Sequence, residues 1–137
     1  MFGSEKKPGA QRTIDTLIGA KSRLTGDLHF EGGLRIDGQV EGNIQTSGEK
    51  AAMLVISEQA IVTGSISAAH VIVNGTVNGP VHATELLELQ PKARILGDVS
   101  YKALEMHTGA VVEGRLHHEG LGEMNKPDLK VVAGATN

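Results

Sequence analysis

Six histidines are the side chains of this sequence best suited to bind a metal or move a proton: His29, His70, His82, His107, His117 and His118. Imidazole is the commonest metal ligand in proteins, and its unperturbed pKa lies close to neutral pH. Three of the six follow a repeated glycine by three residues, namely His29, His82 and His117. A shared repeat position predicts a row of histidines, so the fold decides whether they can act together.

Other reactive arrangements are weak. The acidic pairs Glu85/Glu88 and Asp98/Glu113 fall at positions that alternate with apolar residues, which predicts solvated carboxylates without the apolar pocket that acid–base catalysis needs. Cysteine is absent, which removes thiolate metal sites and disulfides. No GxxxxGK[ST] phosphate loop occurs, so nucleotide-driven assembly has no residue basis. We therefore expect no catalytic, cofactor or metal site and no nucleotide.

One seven-residue pattern recurs along the chain: small, any, aliphatic, any, Gly, any, aliphatic. Its six copies are spaced by 16, 22, 15, 18 and 17 residues and contain the glycines Gly26, Gly42, Gly64, Gly79, Gly97 and Gly114. A repeat this short holds only one coil of a solenoid. The glycines are expected at corners, where the chain bends and a side chain has no room.

Strand parity explains the pattern, because residues i, i+2 and i+4 of a strand face the same side. Each copy then has one apolar, buried face and one polar, solvent-exposed face, as is typical of a half-buried strand. A second aliphatic pair lies 8 to 10 residues before most of the glycines, as in Leu34/Ile36 and Leu54/Ile56, with Leu17 and Ile18 in a partial copy. The sequence predicts an all-β, single-domain parallel β-helix of about six coils. Parity leaves the handedness open, although right-handed crossovers are the default for parallel strands.

On this fold the histidine row cannot form a metal site within one chain. Coils stack about 4.8 Å apart, so His29 and His82 are separated by roughly 14 Å and His82 and His117 by about 10 Å. Zinc binds its nitrogens at about 2.0–2.1 Å. We interpret these histidines as solvated surface groups. A capped β-helix acting as a trimeric enzyme of the acyltransferase or carbonic-anhydrase type remains the alternative.

The composition suits a narrow solenoid flanked on both sides by segments that lack the repeat. The chain of 137 residues has two Phe, one Tyr and no Trp, which suits a bore filled with Val, Ile, Leu and Ala, and Phe30 is expected to cover a corner from outside.

Residues 13–118 form the predicted β-helix with a net charge of −4, while 1–12 carry +2 and 119–137 carry −1. The flanks lack periodicity and are predicted to be disordered tails. Residues 46–52 form an insertion predicted as a surface loop. An acidic core poor in aromatics argues against nucleic acid as a partner.

The repeat resembles that of the bactofilins, polymer-forming cytoskeletal proteins of bacteria. The resemblance covers about 13–118 and rests on the six repeat copies and on blocks such as Leu34-Arg35-Ile36-Asp37-Gly38 and Val71-Ile72-Val73-Asn74-Gly75-Thr76-Val77. It implies a right-handed β-helix that assembles end to end, without nucleotide, into nonpolar filaments. It also implies recruitment to the inner face of the cytoplasmic membrane, a role in cell shape, and partners such as cell-wall hydrolases or other envelope proteins.

Self-assembly can also be argued from the ends of the solenoid. A terminal coil exposes unpaired backbone groups and a slice of core, and neither end of the sequence shows an amphipathic helix that would cap it. The expected polymerisation residues are Leu17, Ile18, Leu24, Val112 and Leu116. Tails that fold back as caps would instead leave a monomer.

The N-terminal tail has the composition of a membrane-targeting element: Met1, Phe2, Lys6 and Lys7. Apolar side chains insert into the interface, and each lysine near an anionic leaflet contributes about 1 kcal/mol. One tail binds weakly, but a filament presents many tails at once. The sequence holds no apolar run long enough to span a bilayer, so a cytoplasmic, membrane-peripheral location is expected. A C-terminal cluster at 129–132 is either a docking element or an inert remnant.

Overall fold

A computed structural model of the chain describes residues 14–46 and 51–119. Within these ranges the regular structure is β-strand, in fifteen short elements. They are β1 (Thr16–Ile18), β2 (Arg23–Thr25), β3 (Leu28–Phe30), β4 (Gly33–Ile36), β5 (Gln39–Glu41), β6 (Ile44–Thr46), β7 (Met53–Ile56), β8 (Ile61–Thr63), β9 (Ile66–Val73), β10 (Thr76–Asn78), β11 (Val81–Leu89), β12 (Arg94–Leu96), β13 (Val99–Met106), β14 (Val111–Glu113) and β15 (Leu116–His118).

The strands pair in parallel between successive coils and form two sheets. One has six strands in the order β14-β12-β10-β8-β5-β2. The other has nine, in the order β1-β4-β7-β9-β11-β13-β15, with β3 and β6 joined through β9. Strands that are separate early in the chain merge later, since β9, β11 and β13 each run along two sides of a coil. The predicted parallel β-solenoid of about six coils is confirmed, while its handedness stays a prediction.

Register places the repeated aliphatic residues in continuous inward rows. Parallel pairing stacks the aliphatic residue before each glycine in the row Leu24, Val40, Val62, Val77, Ile95 and Val112. The aliphatic residue after each glycine forms a second row of Leu28, Ile44, Ile66, Val81, Val99 and Leu116. The four inner members of each row are at most 1% exposed. The parity prediction is therefore confirmed for both rows.

The repeated glycines form a ladder of their own at one corner. Gly26, Gly42, Gly64, Gly79 and Gly97 all have φ between 126° and 155°, a backbone region that L side chains rarely adopt. A Cβ added at Gly42 would overlap the carbonyl oxygen of Gly26, and the same overlap repeats at every later corner. The obstacle to a side chain at these glycines is the backbone of the preceding coil. Glycine is thus required for close coil-to-coil stacking.

A Gly64→Ala substitution should destabilise the solenoid strongly, because the new methyl group would meet backbone atoms of Gly42 and φ is +144°. Strain of this kind costs about 3 kcal/mol, before the coils separate to relieve the overlap. Thermal unfolding followed by far-UV circular dichroism measures the effect. Gly19→Ala is the control, since a Cβ there has no neighbour within 4 Å. Equal melting temperatures for the two variants would contradict the stacking argument.

Polar residues just after the corner glycines form hydrogen bonds between adjacent coils on the solvent-exposed side. The Asn43 backbone N–H donates to Asp27 Oδ1 at 3.0 Å, and the Ser65 N–H donates to Asn43 Oδ1 at 3.0 Å. The Arg115 N–H donates to Asp98 Oδ1 at 2.9 Å three corners further on. These bonds satisfy corner amides that strand pairing does not reach.

Phe30 lies in the core and is 7% exposed, so its expected place outside a corner is wrong. Register pairs it with Thr46, and in the later coils the residues two positions after the inward aliphatic row are Ala68, Ala83, Tyr101 and His118. Thr46, Ala68 and Ala83 are small, which leaves room for the aromatic rings of Phe30 and Tyr101 near the two ends of the solenoid. A narrow bore therefore admits aromatic side chains at this corner.

The predicted tails at 1–12 and 119–137 lie outside the described residues, apart from Glu119. Residues 47–50 of the insertion between β6 and β7 lie outside them as well. Their division from the β-helix stays a prediction.

Candidate assembly interfaces

The N-terminal end of the solenoid consists of the strands β1, β2 and β3. Each pairs on one side only within the described residues, with β4, β5 and β6 respectively. Their outer edges therefore present backbone N–H and C=O groups without a strand partner from residues 14–46 and 51–119. A Cβ placed on Gly26 would find no atom within 4 Å, as expected where no described coil precedes it. Edges of this kind are templates for pairing with another chain.

The C-terminal end has the matching construction. The strands β14 and β15 pair with β12 and β13, and within the described part of the chain no strand lies beyond them. The segment Ala103–Met106 of β13 pairs with β11 alone. Three strand edges are thus open at this end too, and they continue the three sides of the last coil.

Exposure of the apolar interior rises at both ends. Nine hydrophobic residues border the core while only partly buried, and all belong to the outermost layers: Ile18, Leu24, Leu28, Tyr101, Leu104, Met106, Ala110, Val112 and Leu116. Their counterparts in the inner coils are buried. Each end is therefore a slice of hydrophobic core bordered by strand edges, which is the surface that a second solenoid could cover.

Four of the five predicted polymerisation residues lie in these end surfaces: Ile18, Leu24, Val112 and Leu116. Leu17 does not share their orientation. It pairs with the exposed Arg35 and is 57% exposed, so its side chain lies on the outer face of β1. The inward positions of β1 are those of Thr16 and Ile18, which pair with Leu34 and Ile36. A contribution of Leu17 to assembly stays a prediction, and it would act from the rim of the interface.

An open groove of about 670 Å³ deepens the N-terminal end. Its lining combines apolar and polar side chains: Thr16, Leu28, His29, Phe30, Glu31 and Leu34. The groove lies between β1 and β3, where Gly32 interrupts what later coils form as one continuous strand. The N-terminal surface is thus not flat, and it has room for side chains of a partner.

Tyr101 and His118 form a feature of the C-terminal end that the sequence reasoning missed. Their rings lie 5.9 Å apart at an interplanar angle of 43°. Burial raises the pKa of Tyr101 above its ordinary value. The Glu119 backbone N–H donates to the Tyr101 carbonyl at 2.7 Å, and Glu119 Oε1 lies 3.0 Å from His82 Nε2. Only strand register reveals this cluster, because Tyr101 stands outside the glycine repeat.

The predicted histidine row is present in register and does not converge. Pairing orders it as His29, Gln45, Ser67, His82, Ser100 and His117. Two residues separate His29 from His82, and one separates His82 from His117. The side chains face outward, and that of His82 is 44% exposed. The row therefore brings no two histidines of one chain to a common ligand.

The predicted membrane-targeting residues Met1, Phe2, Lys6 and Lys7 lie outside the described residues. Among residues 14–46 and 51–119 there is no helix with the length and hydropathy of a membrane span.

Comparison with known proteins gives a consistent result. A family model described as "Bactofilin: Polymer-forming cytoskeletal" matches residues 16–117. Bactofilin BacP of Myxococcus xanthus (strain DK1622) is 29% identical over 116 residues, which cover 84% of this chain and 47% of BacP. Bactofilin BacO of the same organism is 26% identical over 102 residues, covering 74% of this chain and 78% of BacO. The chain thus spans about half the length of one relative and most of the other. No solved structure matches it.

Proposed function

The chain belongs to the bactofilin family, whose description is polymer-forming and cytoskeletal, and from this premise we propose that it assembles end to end into filaments without nucleotide. The observation that carries the proposal is the pair of open ends. Each combines three strand edges with partly buried core residues, such as Leu24 at one end and Val112 at the other. An end covered by a second copy would gain both hydrogen bonds and apolar contacts.

Burial at the ends supplies a driving force for assembly. Complete burial of an aliphatic side chain is favourable by about 1.5–3 kcal/mol, so each half-buried end residue offers about 1 kcal/mol. Nine such residues and the strand edges are shared between two surfaces at opposite ends of one rod. A rod with a self-associating surface at each end forms a linear polymer rather than a closed ring.

We further propose that the filaments are nonpolar, with like ends in contact. The family resemblance supports this arrangement, in which an N-terminal contact and a C-terminal contact alternate along the filament. Each contact would then be isologous, because the same surface is used by both partners. The different shapes of the two ends are compatible with it, since the groove beside Phe30 would face its own copy.

Sedimentation of the purified wild-type chain is the test of nucleotide-free assembly. At micromolar concentration we expect most of the protein in a high-speed pellet, and no change in that fraction when ATP, GTP or EDTA is added. The reason is that the proposed driving force resides in the end surfaces and in no bound phosphate. A chain that stays in the supernatant as a 14.4 kDa species would contradict the proposal.

Attachment to the inner face of the cytoplasmic membrane is the second part of the proposed function. It rests on the apolar and basic residues of the N-terminal tail, Phe2, Lys6 and Lys7 with Met1. Individual tails of this size bind weakly, and a filament multiplies them. Membrane binding should therefore depend on assembly.

We propose a structural role in cell shape, with envelope proteins such as cell-wall hydrolases as partners, and no catalysis. Membership of a cytoskeletal family supports this assignment. Within one chain the histidines of the row lie on different coils and do not converge, which supports a structural role over the trimeric-enzyme alternative.

A further inference from the structure

Three ligand-type side chains meet on the outer face of the nine-stranded sheet near the C-terminal end. Glu88 of β11 and Glu105 of β13 are register partners on adjacent coils. His107 follows β13, and its backbone N–H donates to the Leu89 carbonyl at 2.9 Å, which fixes the start of the turn. Strand pairing on both sides of β11 makes this a rigid part of the fold.

Two of the three distances within this cluster are close to those of a metal coordination shell. His107 Nε2 lies 3.2 Å from Glu105 Oε2 and 3.4 Å from Glu88 Oε2, and one atom of each side chain lies within 4.8 Å of the others. Ligands about 2.0–2.2 Å from a tetrahedral zinc ion are separated from one another by roughly 3.3–3.6 Å. The two histidine distances match that spacing closely.

The charges at this cluster call for a cation. Carboxylates stacked directly opposite on neighbouring strands repel one another. Lys102 and Lys92 pair with other carboxylates, those of Glu85 and Glu58 respectively. In the described part of the chain, the ion pairs of Glu88 and Glu105 involve His107 alone. The single N–H at one imidazole nitrogen cannot donate fully to two carboxylates. A divalent ion could instead coordinate both carboxylates and the imidazole at once.

We propose that Glu88, Glu105 and His107 form a binding site for a divalent transition-metal ion of the zinc type. Their donor set, two carboxylate oxygens and one imidazole nitrogen, is a combination that zinc accepts, with water in a fourth position. The Glu88 and His107 side chains are 21% and 41% exposed, which leaves access for the ion and its water. The Gln90 side-chain N–H donates to Glu88 Oε2 at 3.2 Å and orients that carboxylate.

The proposed ion would join two successive coils, because Glu88 belongs to one coil and Glu105 and His107 to the next. Bound metal therefore stabilises the attachment of the last coil, in proportion to its occupancy. This proposal does not depend on filament formation. Its site uses outward side chains, whereas the proposed end contacts use inward ones such as Val112.

Equilibrium dialysis of the full chain against ZnCl2, with metal counted by mass spectrometry, tests the site. We expect one zinc per wild-type chain, and at least a tenfold weaker affinity in Glu88→Gln and in His107→Gln, since loss of an orienting partner alone costs about 10–100-fold. His82→Gln is the matched control, because His82 also pairs with a glutamate, Glu119 at 3.0 Å, but with only one. The control should bind zinc as the wild type does.

A spectroscopic readout separates the site from loose surface binding. Co²⁺ in place of zinc should give the intense visible absorption of a tetrahedral ion in the wild type and in His82→Gln, and lose it in His107→Gln. Circular dichroism establishes that each variant is folded. A wild type that binds no more zinc than Glu88→Gln, or an equal loss in His82→Gln, would overturn the proposal.

Discussion

A Val112→Lys/Leu116→Lys double substitution is expected to abolish filaments while the solenoid stays folded. Both residues are only partly buried at the C-terminal end, where they extend the rows of Ile95 and Val99. In an isolated chain the new ammonium groups can reach water. In a filament they would be enclosed between two core slices, and burial of unpaired charge costs more than the apolar contacts contribute.

Val111→Lys is a closely matched control. Val111 precedes Val112 in β14 but pairs with the exposed Arg94, so its side chain lies on the opposite, outer face. It introduces one of the two ammonium groups, one residue away from the proposed contact. Pelleting assays and circular dichroism should therefore show filaments for Val111→Lys and a folded chain that forms no filaments for the double variant. Filaments from both would place the contact elsewhere.

The size of the blocked species also reports the polarity of the filament. If like ends meet, a chain blocked at its C-terminal end still joins at its N-terminal end, and sedimentation should show twice the 14.4 kDa mass. If unlike ends meet, every contact includes one C-terminal surface. Because that surface is blocked in the variant, the chain should stay monomeric. We expect the dimer. Adding Leu24→Lys at the other end should then convert that dimer to a monomer.

A Phe2→Glu substitution is expected to abolish co-flotation with anionic liposomes in a density gradient and to leave filaments intact. The change removes an apolar side chain worth about 1.5–3 kcal/mol at the interface and adds a charge that the leaflet repels. Because every subunit of a filament carries the same change, the effect multiplies along the polymer. Electron microscopy of the same sample establishes that assembly is unaffected.

Two comparisons make the membrane experiment decisive. Phe2→Leu preserves an apolar side chain and should bind liposomes as the wild type does. The Val112→Lys/Leu116→Lys variant has an intact tail, yet it should bind weakly because it lacks the avidity of a filament. If Phe2→Glu filaments still float with the liposomes, the tail is not the anchor. If the assembly-blocked variant binds as tightly as wild type, avidity is not needed.

Much of the fold could be predicted from the sequence because the solenoid repeats one physical requirement in every coil. Glycines such as Gly42 and aliphatic residues such as Val40 and Ile44 recur at a fixed offset, and a period of two assigns each a face. The exact obstacle at the glycines was not predictable, because it arises between coils. The obstacle is a carbonyl oxygen of the preceding coil, and the alternation of faces within one strand gives no information about its position.

The errors and omissions fall where the repeat is irregular. Leu17 was named with the inward Ile18 as a polymerisation residue, and only register with Arg35 shows that its side chain lies on the outer face. Phe30 was placed outside because the bore was taken as uniformly narrow, whereas the small Thr46 beside it makes room. The cluster of Glu88, Glu105 and His107 was overlooked for a related reason, since 17 residues separate the two carboxylates and only coil stacking brings them together.

Negative-stain electron microscopy of the purified wild-type chain without nucleotide tests the central claim most directly. Six coils at about 4.8 Å make a rod roughly 29 Å long, and end-to-end stacking should give thin, uniform, unbranched filaments with the coil axis along their length. Alternating contacts between like ends would double the axial repeat to about 58 Å. Discrete small particles of monomer size, at concentrations where filaments are expected, would contradict end-to-end assembly through the open ends.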